Sequence, residues 1–387
     1  MKILHLITSL KIGGAERALC ALLSKMHTEQ FQHHVAYFHD GPCRKVIEAL
    51  GIPTYRLHGL LHRYDPMLYY RLAQLTQKTK PDVIHTSLWS ANIIGRLIGH
   101  HYNIPVVSDL HGNCRHEGAL RSFINRKTAH LSHFTIAVAN TVSDTYRDHV
   151  INTLHDAQRQ QILHHSLIVI QNGIDAHALR QQSHEHPLTR QELGIPDHTF
   201  VIGSVGRLEP IKSYDVLIKA FALLHSTTPL TRPLKLVLVG SGSQLEKLKE
   251  LSQELGISRH VIFAGEQSNP ARFYPLFNCF ALSSQSEGIS LALLEALSCG
   301  IPVVTTHADH NHDVITDGIH GFLVQPGDIR PLTRAFGILY QNPQLAEIIG
   351  CAGQILIDEK FSIDRVVAQY HAIFLEAYKN STQKESV

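Results

Sequence analysis

Short runs of apolar and β-branched residues alternate along the whole chain with segments whose apolar positions recur at helical spacing. This alternation predicts parallel sheets covered on both faces by helices. In the first half the strand-like runs are Ile3 to Thr8, His33 to Phe38, Asp82 to Ser87, Val106 to Leu110, Phe134 to Ala137 and Leu167 to Ile170. In the second they are Val201 to Val205, Leu234 to Val239, His260 to Phe263, Asn278 to Leu282, Val303 to Thr306 and Gly321 to Val324. Between the two sets, Asn172-Gly173-Ile174-Asp175 is a turn signal, followed by a polar, helix-poor stretch to Pro196. The hinge is therefore expected near Ile170 to Asp175. Two doubly wound domains, 1–170 and 171–360, are predicted, with a last segment, 361–387, whose amphipathic part (Ser362 to Tyr378) crosses back to the first. No internal repeat or low-complexity tract interrupts this pattern.

Composition narrows the class. A chain of 387 residues with 44% hydrophobic content can fill two or three cores. A formal net charge of +2, without a lysine or arginine run, argues against a nucleic-acid partner. The six cysteines are scattered without a CxxC pair, which suggests buried thiols in a reducing compartment rather than a disulfide framework or zinc site. No apolar run approaches the ~18 residues of a membrane span, and Met1 to Leu6 is too short and strand-like for a signal peptide. A cytoplasmic location is expected. Histidine is abundant, 29 residues, so the charge is sensitive to pH near neutrality.

Ligands of open α/β sheets bind beyond the carboxyl ends of the strands, so candidate chemistry lies in the loops that follow them. Ser9 to Arg17 turns from the first strand into a helix through Gly13 and Gly14, where the backbone can approach a phosphate or sugar. This is not GxGxxG, and a simple tight turn is the alternative. After Val201 to Val205, Arg207 and Lys212 stand five residues apart and can converge on a diphosphate; a solvated basic loop beside Glu209 is the alternative. The third loop, Ser283 to Ser290, joins a strand to a helix that ends at Gly300-Ile301-Pro302. Glu287 and Glu295 would flank its first two turns, roughly 10 to 12 Å apart at ~1.5 Å per residue. The amides of Gly288, Ile289 and Ser290 would face a bound phosphate. A hydrolytic carboxylate pair needs ~5 to 9.5 Å, so recognition of hydroxyls along one elongated ligand suits this spacing better.

Taken together, Gly13-Gly14-Ala15-Glu16-Arg17, Gly206-Arg207 with Lys212, Val239-Gly240-Ser241-Gly242, Asn172-Gly173-Ile174-Asp175, and Glu287 to Glu295 with Gly300-Ile301-Pro302-Val303-Val304 resemble, in order and spacing, the retaining nucleotide-sugar glycosyltransferases of the GT-B fold, family 4, group 1. Gly318 and Gly321-Phe322-Leu323-Val324 extend the likeness over nearly the whole chain. The resemblance implies an α/β protein of two Rossmann-like parallel-sheet domains facing a central cleft. It implies that Arg207 and Lys212 hold the donor diphosphate and stabilise the leaving group. Glu295 then meets the nucleotide ribose, Glu287 the donor sugar hydroxyls, and Gly288, Ile289, Ser290 and Gly240 the sugar and phosphate. Gly13 and Gly14 resemble the loop that meets diphosphate and acceptor from the opposite domain. His111, at the end of a strand, matches a histidine that faces the transferred sugar, with a structural histidine as the alternative; for His85, packing is the expectation.

The implied reaction is a front-face retaining transfer in which the leaving phosphate takes the acceptor proton, with no cofactor and no metal. Where relatives carry a Gly-Gly pair, this chain has Asp309 and His310 within His307 to Asp313, so these two residues border the sugar pocket. The loop can be read as a metal site or as a polar donor loop. The implied partners are a nucleotide-diphosphate sugar and a glycan or lipid-linked acceptor of surface polysaccharide or glycolipid assembly. Arg115, Arg121, Arg126 and Lys127 surround Leu120, Phe123, Ile124 and Leu131, either as a basic amphipathic helix for peripheral contact with an anionic membrane or as an ordinary surface helix. A nucleotide-sugar epimerase of the same fold and a non-catalytic nucleotide-sugar binder are the competing functions.

Overall fold

The computed structural model describes the chain except residues 27–29, 60–65, 113–117, 155, 157–158, 160–166, 186, 287–288, 309–310 and 385–387. The chain forms two compact units, Met1–Gly173 with Ile363–Val387, and Ile174–Ser362.

The first unit is built on seven strands: β1 (Lys2–Ser9), β2 (Gln32–His39), β3 (Thr54–Arg56), β4 (Val83–Ser87), β5 (Val106–Leu110), β6 (Phe134–Ala137) and β7 (Leu167–Val169). They lie in the order β3-β2-β1-β4-β5-β6-β7, and every pair is parallel. Residues on both faces of β1 are buried, because helices cover each side, and this is why the run reads as nearly continuous apolar sequence. Strand β3 was not anticipated. At three residues on the sheet edge, two half-buried and one exposed, it is too short to show a period, and it is held by Val35 N–H to Pro53 O (3.0 Å) and Leu57 N–H to Tyr37 O (2.8 Å). The helix Gly14–Met26 buries Leu19, Leu22, Leu23 and Met26 on one stripe. On the same side, Ile373, Phe374 and Ala377 of the helix Ile363–Lys384 join a core with Ile3, Val83 and Phe134.

The second unit has six parallel strands: β8 (Phe200–Val205), β9 (Leu234–Val239), β10 (Val261–Gly265), β11 (Cys279–Leu282), β12 (Val303–Thr306) and β13 (Gly321–Val324), ordered β10-β9-β8-β11-β12-β13. Leu217, Phe221, Leu236 and Phe336 are fully buried in its core. Truncating either phenylalanine to alanine should cost about 3–5 kcal/mol. Gly203 sits under the Phe277 ring, where an added Cβ would lie 2.3 Å from ring carbons.

Two expectations are corrected here. The stretch after Asp175 is not helix-poor: Ala176–Glu185 is a helix, anchored by Arg180, which meets Asp358 (3.1 Å) and donates to Ser298 O (3.2 Å). Its sequence, AHALRQQSHE, carries too few apolar residues to show a periodic stripe. The helix after β11 begins only at Leu291, with Ser290 as its extended N-terminal neighbour, so Glu295 lies in its second turn and position 287 precedes it.

In both sheets the chain winds outward from the first strand and then crosses to its other side. The switch points therefore fall between β1 and β4, and between β8 and β11.

Candidate active site

In the second unit the loops at the switch point are knitted to each other. Strand β8 ends at Val205, and Gly206 N–H bonds Val239 O at 2.9 Å. Gly240 follows β9 with φ +139°, and a Cβ there would lie 1.9 Å from Gly206 O, so the two loops touch only because Gly240 has no side chain. Leu208 N–H reaches Ser241 O (2.9 Å), while Glu209 accepts from the Ser243 hydroxyl (2.7 Å) and amide (3.2 Å). Those two bonds hold the Glu209 carboxyl below its ordinary range. Arg207 is exposed and Lys212 half-buried on the same loop.

The loop after β11 is pinned to this one. Ser283 Oγ–H donates to Lys212 O (2.9 Å) and Gln285 N–H to Ile211 O (2.9 Å). Thr306 Oγ1–H, at the end of β12, donates to Ser284 O at 2.6 Å. Ile289 is buried and Ser290 half-buried, and Ser290 O takes the amides of Leu293 (3.1 Å) and Leu294 (3.2 Å). The amides of Leu291 and Ala292 start the helix and have no intrahelical acceptor. Glu295 is 3% exposed and accepts the Tyr274 hydroxyl on Oε2 at 2.6 Å. One cationic loop, one helix start and one buried carboxylate thus share a region that suits a phosphorylated, hydroxyl-bearing ligand. Glu287, Gly288, Asp309 and His310 lie outside the described residues.

Around that gap, Asn311 is fully buried and ties its turn to β12 through Thr305 Oγ1 (2.8 Å) and Thr306 O (2.9 Å). The His307 and His312 rings stack at 4.5 Å. Among the described residues no group of three or more histidine, cysteine, aspartate or glutamate side chains is assembled for a metal ion.

In the first unit, Gly13 O accepts from Arg17 N–H (3.0 Å) and closes the first helical turn; a Cβ on Gly13 would press on the Glu16 carboxylate at 2.4 Å. A Cβ on Gly14 would meet nothing within 4 Å, so the fold itself does not require glycine there. At the end of β5, His111 Nε2 stands 3.7 Å from Asp109 Oδ2, with the side chains 9% and 4% exposed. Asp109 Oδ2 also receives the Tyr370 hydroxyl (2.9 Å) and faces His85 Nε2 (2.8 Å). Burial pushes the Asp109 carboxyl up, but His85 and His111 overcome it and hold the group well below the ordinary carboxylate range. Asp109 Oδ1 and His111 Nε2 are buried without a protein hydrogen bond. Both residues line a cavity of about 20 Å³, with Ser87, Asn172 and Tyr370 also in its wall, large enough for one water-sized group.

Sequence reasoning left His85 to packing and did not single out His5, His33, Asp109 or Tyr370. The signal was a polar residue inside each of four apolar runs, but only strand register shows that they meet.

The helix Ala119–Thr128 turns apolar residues outward: it buries Asn125 and Thr128, while Leu120 and Phe123 are 62% and 50% exposed. Its polar face is drawn inward by Arg96, which is fully buried and donates to Asn125 Oδ1 (2.8 Å) and Ser132 Oγ (2.8 Å). Arg115 of that segment lies outside the described residues.

Two family models match in succession, Glycosyltransferase Family 4 over residues 12–178 and Glycosyl transferases group 1 over residues 185–355. The chain is 24% identical over 323 residues to N-acetyl-alpha-D-glucosaminyl L-malate synthase of Bacillus anthracis, covering 82% of this chain and 80% of that one. It is 28% identical to D-inositol 3-phosphate glycosyltransferase of Acidothermus cellulolyticus, over 76% of this chain and 67% of the relative. Among solved structures, Anabaena Alr3699/HepE in complex with UDP-glucose superposes with a TM-score of 0.83 at 23% identity, covering 97% of this chain and all of that one.

Proposed function

The chain belongs to the family 4, group 1 glycosyltransferases of GT-B architecture, and from that premise we propose that it moves a sugar from a nucleotide-diphosphate sugar, a uridine diphosphate sugar in particular, to a glycan or lipid-linked acceptor with retention at the anomeric carbon. The observation that carries this reading is the interlocking of the Arg207–Lys212 loop with the loop leading to the helix of Glu295. Arg207 and Lys212 hold the diphosphate and neutralise the charge that grows on it as the glycosidic bond breaks, with no metal or cofactor in the scheme. Glu295, positioned by Tyr274, takes the ribose hydroxyls. Glu287, Gly288, Ile289 and Ser290 meet the donor sugar and phosphate, with Gly240, Asp309 and His310 at the margin of the donor. Gly13 and Gly14 keep backbone open to substrate. His111 faces the transferred sugar, and the leaving phosphate accepts the acceptor's proton.

That one structural relative was solved with UDP-glucose supports uridine, though it speaks for that protein's ligand. Assembly of surface polysaccharide or glycolipid at the cytoplasmic face of a membrane is the proposed setting. Among the described residues no helix is long and apolar enough to cross a membrane. Peripheral contact with anionic lipid is supported by exposed Leu120 and Phe123 beside Arg121, Arg126 and Lys127. Sedimentation with anionic vesicles should weaken with salt; absence of binding at every salt concentration removes this part.

The function is tested by donor consumption across uridine, guanosine and adenosine diphosphate sugars with pooled glycan and lipid acceptors. A product of retained configuration from a uridine diphosphate sugar is expected. Isomerised donor without acceptor would make the protein an epimerase, and binding without turnover would make it a non-catalytic binder.

A further inference from the structure

Strand register places four ionisable side chains in one diagonal line through the first sheet. His5 on β1 pairs in register with His85 on β4, and both lie on one face of the sheet. His33 on β2 is two residues before the partner of His5, and Asp109 on β5 is two residues beyond the partner of His85. A two-residue step keeps a side chain on the same face, so the line climbs toward the carboxyl edge where substrate-binding loops lie. The contacts are continuous: His33 Nδ1 to His5 Nε2 at 2.9 Å, His5 Nδ1 to His85 Nδ1 at 2.9 Å, and His85 Nε2 to Asp109 Oδ2 at 2.8 Å. At the inner end His33 Nε2 meets Met26 O at 3.3 Å. All four residues are at least 97% buried.

Proton counting gives this column a charge. Met26 O and the Asp109 carboxylate only accept, so the four contacts from Met26 to Asp109 need four protons, and three neutral imidazoles supply three. The column is satisfied when one further proton is shared among the rings and balanced by Asp109. Beside Asp109 that charge is compensated; on His5, between two other rings, it is not. Burial first, and then His85, His33 and His34, hold the His5 ring well below the ordinary histidine value.

We propose that His33, His5 and His85 form a proton-sharing column that sets one positive charge beside Asp109, and that these positioning residues thereby keep His111 neutral and aimed at the donor sugar. The assignment of His111 rests on the function proposed above. Without the column, Asp109 would be a buried carboxylate left with Tyr370 alone, and His111, 3.7 Å away, would take up a proton to compensate it. The other titratable groups facing the column among the described residues are His34 on β2 and Tyr370 on the C-terminal helix; burial, then Asp109, raises the Tyr370 hydroxyl well above its ordinary value, so it stays protonated.

The test uses the full chain labelled with ¹⁵N-histidine, and the substitutions H33Q and H85Q, in which glutamine fills the space and cannot carry the proton. In wild-type protein, slowly exchanging, far-downfield imidazole protons shared between ring nitrogens are expected; their absence from the folded protein overturns the column. In H85Q, and in H33Q at the far end, the His111 ring signals should titrate at higher pH than in wild type. Unchanged His111 titration in folded H33Q and H85Q overturns the link. If H85Q does not fold, H33Q and the wild-type spectrum decide. With UDP-glucose as donor, kcat/KM in H33Q should fall about tenfold at pH 6 and less than twofold at pH 8.5, a pH split that mere loss of packing would not produce. Should the spectra hold while UDP-glucose is neither bound nor consumed, the column stands and the donor assignment fails.

Discussion

The two units share a parallel sheet, a winding order and a switch point, yet they keep their polar groups in different places. In the second unit the strands are almost wholly apolar, and the candidate chemistry of Arg207, Lys212 and Gly240 lies on loops beyond them. In the first, polar groups run through the sheet itself: His5, His33, His85, Ser108 and Asp109 in the strands, and Arg96 behind them, all buried and hydrogen-bonded. One architecture can thus separate binding chemistry from its core or merge the two. Where they are separated, a functional side chain can be lost with little change in stability; where they are merged, its loss also costs stability.

The strongest loss of activity is expected on the second unit's loops. Arg207→Ala and Lys212→Ala should each lower kcat/KM for transfer by about 10²- to 10³-fold, the loss typical of one preorganised donor to a growing negative charge, with little change in melting temperature. Steady-state kinetics beside calorimetry check it, and a matching fall in stability would merge the two units' behaviour. Next, Arg96→Leu should destabilise the first unit by about 2–4 kcal/mol, because Asn125, Ser132 and Tyr146 would lose their donor in a buried place. Denaturant unfolding measures this, and a neutral result would show that the polar interior is dispensable. Glu295→Ala comes third, with nucleotide binding weakened about tenfold, read by titration calorimetry, as hydroxyl acceptance is lost.

Acidity should produce the smallest effect. His5, His34, His130, His260 and His320 are all held below the ordinary histidine value, with burial the first cause. Below about pH 6.5 the unfolded chain binds protons that the folded chain refuses, so stability falls as pH drops. The melting temperature should decline by a few degrees between pH 7.5 and 5.5. Three of the five lie in the first unit, and its transition should move further.

This contrast also explains what could be read from sequence. Strands such as Leu234–Val239 and Val303–Thr306 were legible because burial on both faces leaves a run dominated by apolar and β-branched residues. Thr54–Arg56 was not, since an edge strand of three residues has no period, and Ala176–Glu185 was not, since its anchor is Arg180 rather than an apolar stripe. The loop residues of the second unit stood out as charge and glycine at strand ends. The histidine column did not, because a histidine in an apolar run looks like packing until register aligns it with two more and with Asp109. Which face of the helix Ala119–Thr128 turns inward was hidden for the same reason: Arg96, remote in sequence, draws Asn125 in and leaves Leu120 and Phe123 exposed.

The proposed function stands or falls on whether the basic loop at the second unit's switch point holds a nucleotide diphosphate. Isothermal titration of UDP into the wild-type chain and into the Arg207→Ala/Lys212→Ala double variant tests it most directly. One UDP per chain in the wild type, with affinity at least about tenfold weaker in a folded double variant, is the predicted result; no binding to wild type, or equal affinity in both, would contradict it.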